Sequence, residues 1–314
     1  MGPPRLPAVP RFADRPKSWL ARWLYPSQLP YQGRRQRNPT SVDPCGLRPP
    51  GCRHIHVNKG ARENLNARRA SFLSRAHDYG RYRPGYPVDA IRWVVGDEPT
   101  TVVDIGCGPG NLTSRLVELG HSVIGVDPSV AMLQGAIAQG LNVVGAAAEA
   151  LPLGNATVDV LTAATAFHWF DHERAVPEMR RVLCAGGCVG LLTNMRDETV
   201  PWVKALSDIV GSEAAMAATL GGAEGMEAEF VVKLEGSGLF DSTEHRVFDF
   251  EQELTEEQLM GLMRSRSYIS ILPDGERDEL LAEVQALCSE HPQLRDRESF
   301  LMPYKTHAFR ATAS

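Results

Sequence analysis

The sequence has no hydrophobic run near the roughly 18 apolar residues that a membrane-spanning helix requires, so we expect no membrane partner. Its six cysteines follow no regular spacing that would indicate a disulfide framework, and this usage favours a reduced, cytoplasmic protein. Hydrophobic residues make up 43% of the 314 positions, which is enough for a sizeable core. The length allows one large domain or two smaller ones.

Basic residues are scarce over most of the chain. Residues 1–60 hold 11 of the 33 Lys and Arg residues but 2 of the 38 Asp and Glu residues, so residues 61–314 carry 22 basic and 36 acidic side chains. An acidic domain is disfavoured for nucleic-acid binding, which depends on cationic contacts to phosphates. We therefore expect no nucleic-acid partner.

The segment 1–60 differs in composition from the rest. It contains 11 of the 22 prolines and shows no sustained apolar periodicity. Because such a segment cannot bury enough apolar surface to offset the entropy of ordering, we predict that it is disordered. It is either a basic arm for an anionic partner or sequence upstream of the natural start. A helical pattern begins at Arg62, and residues 61–314 are predicted to form the folded domain.

The most informative stretch is Val102–Gly110, which reads VVDIGCGPG. Its apolar run predicts a buried parallel strand. Gly106, Gly108 and Gly110 then recur at every second position, where glycine allows positive φ angles and a close approach of the backbone to a ligand. Residues 111–120 are predicted to form a helix. A strand, a glycine loop and a helix N-terminus together are typical of a nucleotide site in an open α/β sheet.

The glycine spacing departs from the dinucleotide fingerprint G-x-G-x-x-G. Asp104 precedes the loop and would repel a phosphate, whereas it suits a ligand that carries an amino-acid ammonium. A second strand, predicted over 121–126, ends at Asp127, 23 positions after Asp104. A carboxylate there is placed to accept hydrogen bonds from both hydroxyls of a ribose.

The fourth predicted strand, over 157–163, leads to His168 and Trp169. Ligands of open α/β sheets bind beyond the carboxyl ends of the strands, so both residues are candidate catalytic residues. His168 is either a general base that works near neutral pH or a structural hydrogen-bonding residue.

Two arginine-containing segments also have two interpretations each. The segment Tyr79–Pro87 is either an aromatic packing corner or a lid that offers Arg83 and a tyrosine to a carboxylate. The run Arg264–Tyr268 ends a predicted helix and is either a solvated face or an anchor for an acidic substrate.

Four motifs occur in ordered succession along the chain. They are the glycine stretch, Asp127-x-Ser129-x-x-Met132-Leu133, Ala148-Glu149-Ala150-Leu151-Pro152, and Arg181-Val182-Leu183-x-x-Gly186-Gly187. This succession, over about residues 79–193, resembles the class I S-adenosylmethionine-dependent methyltransferases. Within them it is similar to the type 11 group, which includes trans-aconitate and quinone-biosynthesis type methyltransferases.

The resemblance implies an α/β, Rossmann-like fold. It predicts a seven-stranded, mostly parallel sheet whose last strand is antiparallel, with helices on both faces. Between the two late strands, residues of about 253–298 are expected to form a helical insertion. The implied cofactor is S-adenosyl-L-methionine, and no metal is expected.

The resemblance also implies roles for individual residues. Asp104 and the glycine loop would bind the amino-acid moiety of the cofactor, Asp127 its ribose, and Met132 would pack on the adenine. The family usually has an acidic residue where this chain has Ala147, so adenine recognition would fall to backbone groups of Ala147 and Ala148. Related methyltransferases carry a Tyr-x-x-x-Arg type segment before the core, which adds Arg83 to the predicted cofactor site.

The predicted function is methyl transfer to a small-molecule acceptor at oxygen, carboxyl or carbon, by a monomer or homodimer. One alternative is a protein that binds S-adenosylmethionine without catalysis, since methyl displacement demands no universal catalytic residue. The other is a nicotinamide-dependent oxidoreductase. The glycine spacing, Asp104 and the lack of a Tyr-x-x-x-Lys pair after the fourth strand disfavour it.

Overall fold

The computed structural model describes residue 80 and residues 82–211, 225–270 and 272–314. The segment 1–60, predicted to be disordered, and the helix predicted from Arg62 lie outside the described residues. In the described ranges, no helix is both long enough and apolar enough to cross a membrane.

The described strands form one sheet. They are β1 (Thr101–Ile105), β2 (Ser122–Asp127), β3 (Val143–Gly145), β4 (Val158–Ala164), β5 (Leu183–Arg196), β6 (Glu244–Leu254) and β7 (Phe300–Thr312). Their spatial order is β3-β2-β1-β4-β5-β7-β6. The first five strands pair in parallel, and β7 is antiparallel to both β5 and β6. The predicted fold class, with its mostly parallel sheet and antiparallel last strand, is confirmed.

Helices connect most of the strands. They are α1 (Val88–Val95), α2 (Asn111–Glu118), α3 (Val130–Ala138), α4 (His172–Val182), α5 (Pro201–Val210), α6 (Gly225–Glu235), α7 (Glu256–Arg264), α8 (Ser267–Ser270) and α9 (Asp274–Glu290). A short 3₁₀ helix spans Phe167–Trp169. Neighbouring residues of β1 belong to different cores: Val102 packs with α1 and α2, and Val103 with α4 and α6. Because strand side chains alternate between faces, these helices cover both sides of the sheet.

The order of the strands reverses at β1. From β1 the chain proceeds to β2 and β3 on one side, and later to β4 and β5 on the other. Such a reversal leaves a crevice beyond the carboxyl ends of the strands. Asp104 stands at this point, paired with Gly125 of β2 and with Thr162 of β4.

A second group of helices lies between β6 and β7. It contains α7, α8 and α9, in the part of the chain where a helical insertion was predicted. Thr255 begins α7 with a reciprocal capping box, in which its side chain accepts from Gln258 N and the Gln258 side chain accepts from Thr255 N. These helices share a core with α5, and it contains Trp202, Val284 and Tyr304.

Strand β5 has an irregularity near its start. Val158 pairs with Leu183, but Val160 pairs with Cys188, so the register shifts between the two. Within this irregularity Gly186 has a φ of 74°. Helix α4 runs through Pro177 without a restart.

Candidate cofactor and active site

A cavity of about 630 Å³ lies at the carboxyl ends of β1, β2 and β4. Nine of the eleven predicted site residues line it, and Gly110 and His168 do not. The nine are Arg83, Asp104, Gly106, Gly108, Asp127, Met132, Ala147, Ala148 and Trp169. Residues that are far apart in sequence therefore meet at one crevice, as the strand reversal requires. In the described ranges, no three His, Cys, Asp or Glu side chains are grouped so that they could hold a metal ion.

Each of the three loop positions requires glycine, but for different structural reasons. All have positive φ, at 69° for Gly106, 56° for Gly108 and 96° for Gly110. A Cβ at Gly106 would lie 2.5 Å from Cβ of Ala166, and one at Gly110 would lie 2.4 Å from Cδ1 of Leu141. A Cβ at Gly108 would meet no protein atom within 4 Å. Gly106 and Gly110 thus permit close packing, whereas Gly108 borders open space along the cavity.

Asp104 is held by two hydroxyl groups. Its side chain is at the base of the cavity, and the residue is 1% exposed. Thr113 Oγ1 donates to one carboxylate oxygen at 2.7 Å, and Thr162 Oγ1 donates to the other at 3.0 Å. Burial raises the pKa of Asp104 to about 6, and the two hydroxyl bonds oppose that rise. The sequence interpretation had not identified these threonines; a polar Thr113 beside the apolar Leu112 in the first turn of α2 was the available signal.

Asp127 ties the end of β2 to the glycine loop. One carboxylate oxygen accepts from Gly108 N at 2.9 Å, and the other accepts from Ser129 N at 2.8 Å. Each oxygen keeps further lone pairs that a ligand hydroxyl can use. Burial raises the pKa of Asp127, while the two backbone donors lower it.

The far end of the cavity is mainly apolar. Ser129 caps α3 by accepting from Met132 N at 3.3 Å, and Met132 lines the wall. Ala147 and Ala148 lie on the loop after β3 and line the cavity too. Glu149 accepts a hydrogen bond from Asp171 N at 2.7 Å, so its carboxylate holds the neighbouring loop.

His168 is not part of the cavity lining. Successive residues of a 3₁₀ helix point about 120° apart. Phe167 is buried in the core and Trp169 lines the cavity. The side chain of His168 therefore points neither into that core nor toward the cavity. His168 lies against Trp169, with ring centroids 5.0 Å apart. The position of His168 thus gives no support to a base at the reacting atoms.

Residues 83–87, called the lid segment below, cover one side of the crevice. Tyr86 Oη lies 3.0 Å from Thr165 Oγ1 beyond β4, and Asn194 Nδ2 of β5 donates to Gly85 O at 2.7 Å. Arg83 Nη2 donates to Ser265 O at 3.2 Å. The segment is therefore tethered to strand ends and to the turn after α7, as a lid would be.

The chain is similar to known methyltransferases. A family described as a methyltransferase domain matches residues 103–191. An uncharacterized methyltransferase of Mycobacterium tuberculosis is 37% identical over 245 residues, which cover 77% of this chain and 95% of the relative. A trans-aconitate 2-methyltransferase of Azoarcus sp. is 34% identical over 144 residues, covering 38% of this chain and 53% of the relative.

A solved structure supports the same assignment. It is that of a protein assigned as a type II methyltransferase from Anaeromyxobacter dehalogenans, and it is 26% identical with a TM-score of 0.55. The match covers 74% of this chain and 98% of the other. Such coverage, together with the mycobacterial relative, extends beyond the glycine motif to most of the folded part. The chain belongs to the family of class I S-adenosylmethionine-dependent methyltransferases.

Proposed function

We propose that the cavity at the strand reversal binds S-adenosylmethionine and directs its methyl group to a small-molecule acceptor. The observation that carries this proposal is the pair of carboxylates, Asp104 and Asp127, at the ends of adjacent strands on one cavity with the glycine loop between them. A nicotinamide dinucleotide would bring a pyrophosphate toward this loop, where Asp104 disfavours it.

We assign different parts of the cavity wall to the ribose, the adenine and the amino-acid moiety of the cofactor. Asp127 is assigned to the ribose hydroxyls, because both of its oxygens are held in place by backbone donors yet retain lone pairs. Met132 and the Ala147–Ala148 loop form an apolar slot of the kind an adenine ring fills. Gly108, with open space at its α-carbon, and Asp104 face the amino-acid moiety, whose carboxylate is assigned to Arg83.

Methyl transfer from a sulfonium requires little acid–base catalysis from the protein. The cofactor supplies an electrophilic methyl group on a sulfonium. The chain's own residues hold the two reactants in line and keep water out. Tyr86 and Trp169 line the cavity, and Asn194 fixes the lid segment over it. A small-molecule acceptor agrees with the volume of this space and with one relative that is named for trans-aconitate.

The function is tested by incubating the protein with methyl-labelled S-adenosylmethionine and fractionated cell extract. We expect label to move to a small-molecule product in at least one fraction. Binding of the cofactor with no transfer to any fraction would favour a non-catalytic binding protein. Preferential binding of NAD would contradict the assignment altogether.

Asp104 makes cofactor binding dependent on pH. Burial raises the pKa of this carboxyl from its ordinary value of 3.8 to about 6, so its contribution to the stability of the fold is full below about pH 4 and is lost as the pH rises through about 6. The ammonium of the cofactor favours the ionised carboxylate. We therefore expect cofactor affinity to fall up to about tenfold per unit as the pH drops below about 6.

The matched variant for this prediction is Asp104→Asn, whose amide oxygen can accept from one of the two threonines and whose amide nitrogen can donate to the hydroxyl of the other, but which does not titrate. Calorimetric titrations between about pH 5 and about pH 7.5 should show a pH-dependent affinity in the wild type. The variant should bind more weakly at neutral pH and show a flat profile. A wild-type profile as flat as that of the variant would contradict the role of Asp104.

The N-terminal segment is expected to be dispensable for cofactor binding and for the stability of the domain. Its composition cannot form a core, so we expect a chain that lacks residues 1–56 to keep its cofactor affinity and melting temperature. Thermal melts and titrations of both chains check this. A loss of several degrees, about what ~1 kcal/mol produces, would show that the segment packs on the domain.

Cysteine usage is the observation that bears on the cellular compartment of the protein. Cys107, Cys184, Cys188 and Cys288, in the described part of the chain, are all free thiols. Free thiols agree with a reducing compartment, and we propose that the protein is cytoplasmic. We also propose that it works as a monomer or homodimer.

A further inference from the structure

A buried arginine from the helices between β6 and β7 reaches the cavity. Arg266 lies in the turn between α7 and α8, lines the cavity, and is 8% exposed. Its guanidinium is charged at every physiological pH. A guanidinium that lines a ligand cavity is placed to bind an anionic group of a ligand.

The backbone at Arg266 is fixed by the packing of α7. Gly261 lets this helix approach Tyr82 closely, since a Cβ there would lie 2.6 Å from the tyrosine ring. Arg266 N donates to Met263 O at 3.0 Å, and Ser265 Oγ donates to Leu262 O at 2.7 Å. These hydrogen bonds and the packing against Tyr82 hold the turn on the core that α7, α8 and α9 share with α5. The position of Arg266 is therefore determined by packed helices.

Two arginines from different segments line the cavity, Arg83 and Arg266. Arg83 donates to the carbonyl of Ser265, the residue before Arg266, so the segment that carries Arg83 contacts the turn that carries Arg266. Asp104 and Asp127 lie on another wall, at the strand ends. Charged groups of opposite sign therefore line different parts of the cavity, with Asp104 and Asp127 at the strand ends and the two arginines on the lid segment and on the turn after α7.

S-adenosylmethionine itself has one carboxylate, and Arg83 is assigned to it. We propose that Arg266 binds a second carboxylate, which belongs to the methyl acceptor, and that the acceptor is a small organic acid with at least one carboxylate besides its reacting atom. A guanidinium suits this task because its planar N–H groups match the two oxygens of a carboxylate. This inference rests on the proposed function and names the substrate class of the same site.

The transfer step balances without a further reactant. A lone pair of the acceptor forms the bond to the methyl carbon, the carbon–sulfur bond breaks, and its electron pair stays on sulfur as a neutral thioether. Any proton on the acceptor atom leaves to solvent. The carboxylate bound by Arg266 does not react, so the methylated product keeps a negative charge.

The charge of the product gives the first test. Cell extract is separated on an anion-exchange resin at neutral pH into retained and unretained pools, and each pool is incubated with the protein and methyl-labelled S-adenosylmethionine. We expect transfer with the retained pool, to a product that the resin still retains. Transfer only to a neutral or cationic product would overturn the inference and leave the proposed function intact. No transfer to either pool would contradict the proposed function itself.

Arginine variants give the second test, with dilutions of the active retained fraction as acceptor. We expect Arg266→Met to raise the apparent KM for the acceptor at least about tenfold, with S-adenosylmethionine affinity unchanged and partial rescue in Arg266→Lys. The control is Arg264→Met, because Arg264 is exposed in the same run and its loss should change neither quantity. An unchanged acceptor KM in Arg266→Met, or in Arg266→Lys where the methionine variant fails to fold, would overturn the assignment.

Discussion

Replacement of Asp127 by alanine is expected to weaken S-adenosylmethionine binding about 10- to 150-fold. The estimate corresponds to the loss of about 1.5–3 kcal/mol, the range for hydrogen bonds to a charged group. Asp127 is assigned to both ribose hydroxyls, and its oxygens are fixed by Gly108 N and Ser129 N. Isothermal titration of wild type and variant with the cofactor measures the effect.

The control for this experiment is Asp89→Ala, because Asp89 is an exposed acid on α1 and removes the same charge away from the cavity. It should bind the cofactor as the wild type does. Equal affinities for wild type and Asp127→Ala would contradict the ribose assignment. Since Asp127 also holds the glycine loop, circular dichroism and a melting curve must show that the variant is folded.

Alanine at Gly108 is expected to lower cofactor affinity at least about tenfold, while alanine at Gly186 leaves it unchanged. Both glycines have positive φ, at 56° and 74°, and at both an added Cβ meets no protein atom within 4 Å. The backbone strain of about 1–2 kcal/mol is therefore similar in the two variants. Only Gly108 borders the cavity, so only there should the methyl group obstruct the cofactor.

Gly106→Ala extends the comparison. Its Cβ would lie 2.5 Å from Cβ of Ala166, so we expect a stability loss larger than that of the other two by about 1–3 kcal/mol. Denaturant unfolding gives the three stabilities, and cofactor titration gives the affinities. If Gly108→Ala and Gly186→Ala have the same affinity, Gly108 is not a point of close cofactor approach.

Local signals in the sequence were sufficient to predict that Asp104, Gly106, Gly108 and Asp127 come together, and all four line the cavity. The apolar run before Gly106, the glycine loop and Asp127 at the end of the next strand all lie within one βαβ unit, where chain order determines spatial order. The antiparallel β7 and the helices before it were predicted from the resemblance and from periodicity. The structure has them at Phe300–Thr312 and between Glu256 and Glu290.

Features that depend on distant contacts could not be predicted in the same way. The hydroxyls on Asp104 come from α2 and β4, and no short motif connects Thr162 with Asp104. His168 and Trp169 were both predicted to lie near the reacting atoms because they follow a strand end. Trp169 lines the cavity, whereas His168, one residue earlier in the same 3₁₀ turn, is not part of its lining. For the run that contains Arg266 the sequence left two interpretations, a solvated face or a substrate anchor. Arg266 lies at the cavity wall because the helices between β6 and β7 pack against the lid segment.

The most direct test of this account is a crystal structure of the protein with S-adenosylhomocysteine, the product form of the cofactor. We expect both ribose hydroxyls within about 3 Å of the Asp127 carboxylate, the adenine between Met132 and Ala148, and the amino-acid moiety beside Gly108. Ligand density outside this cavity, or a ribose turned away from Asp127, would contradict the proposed site.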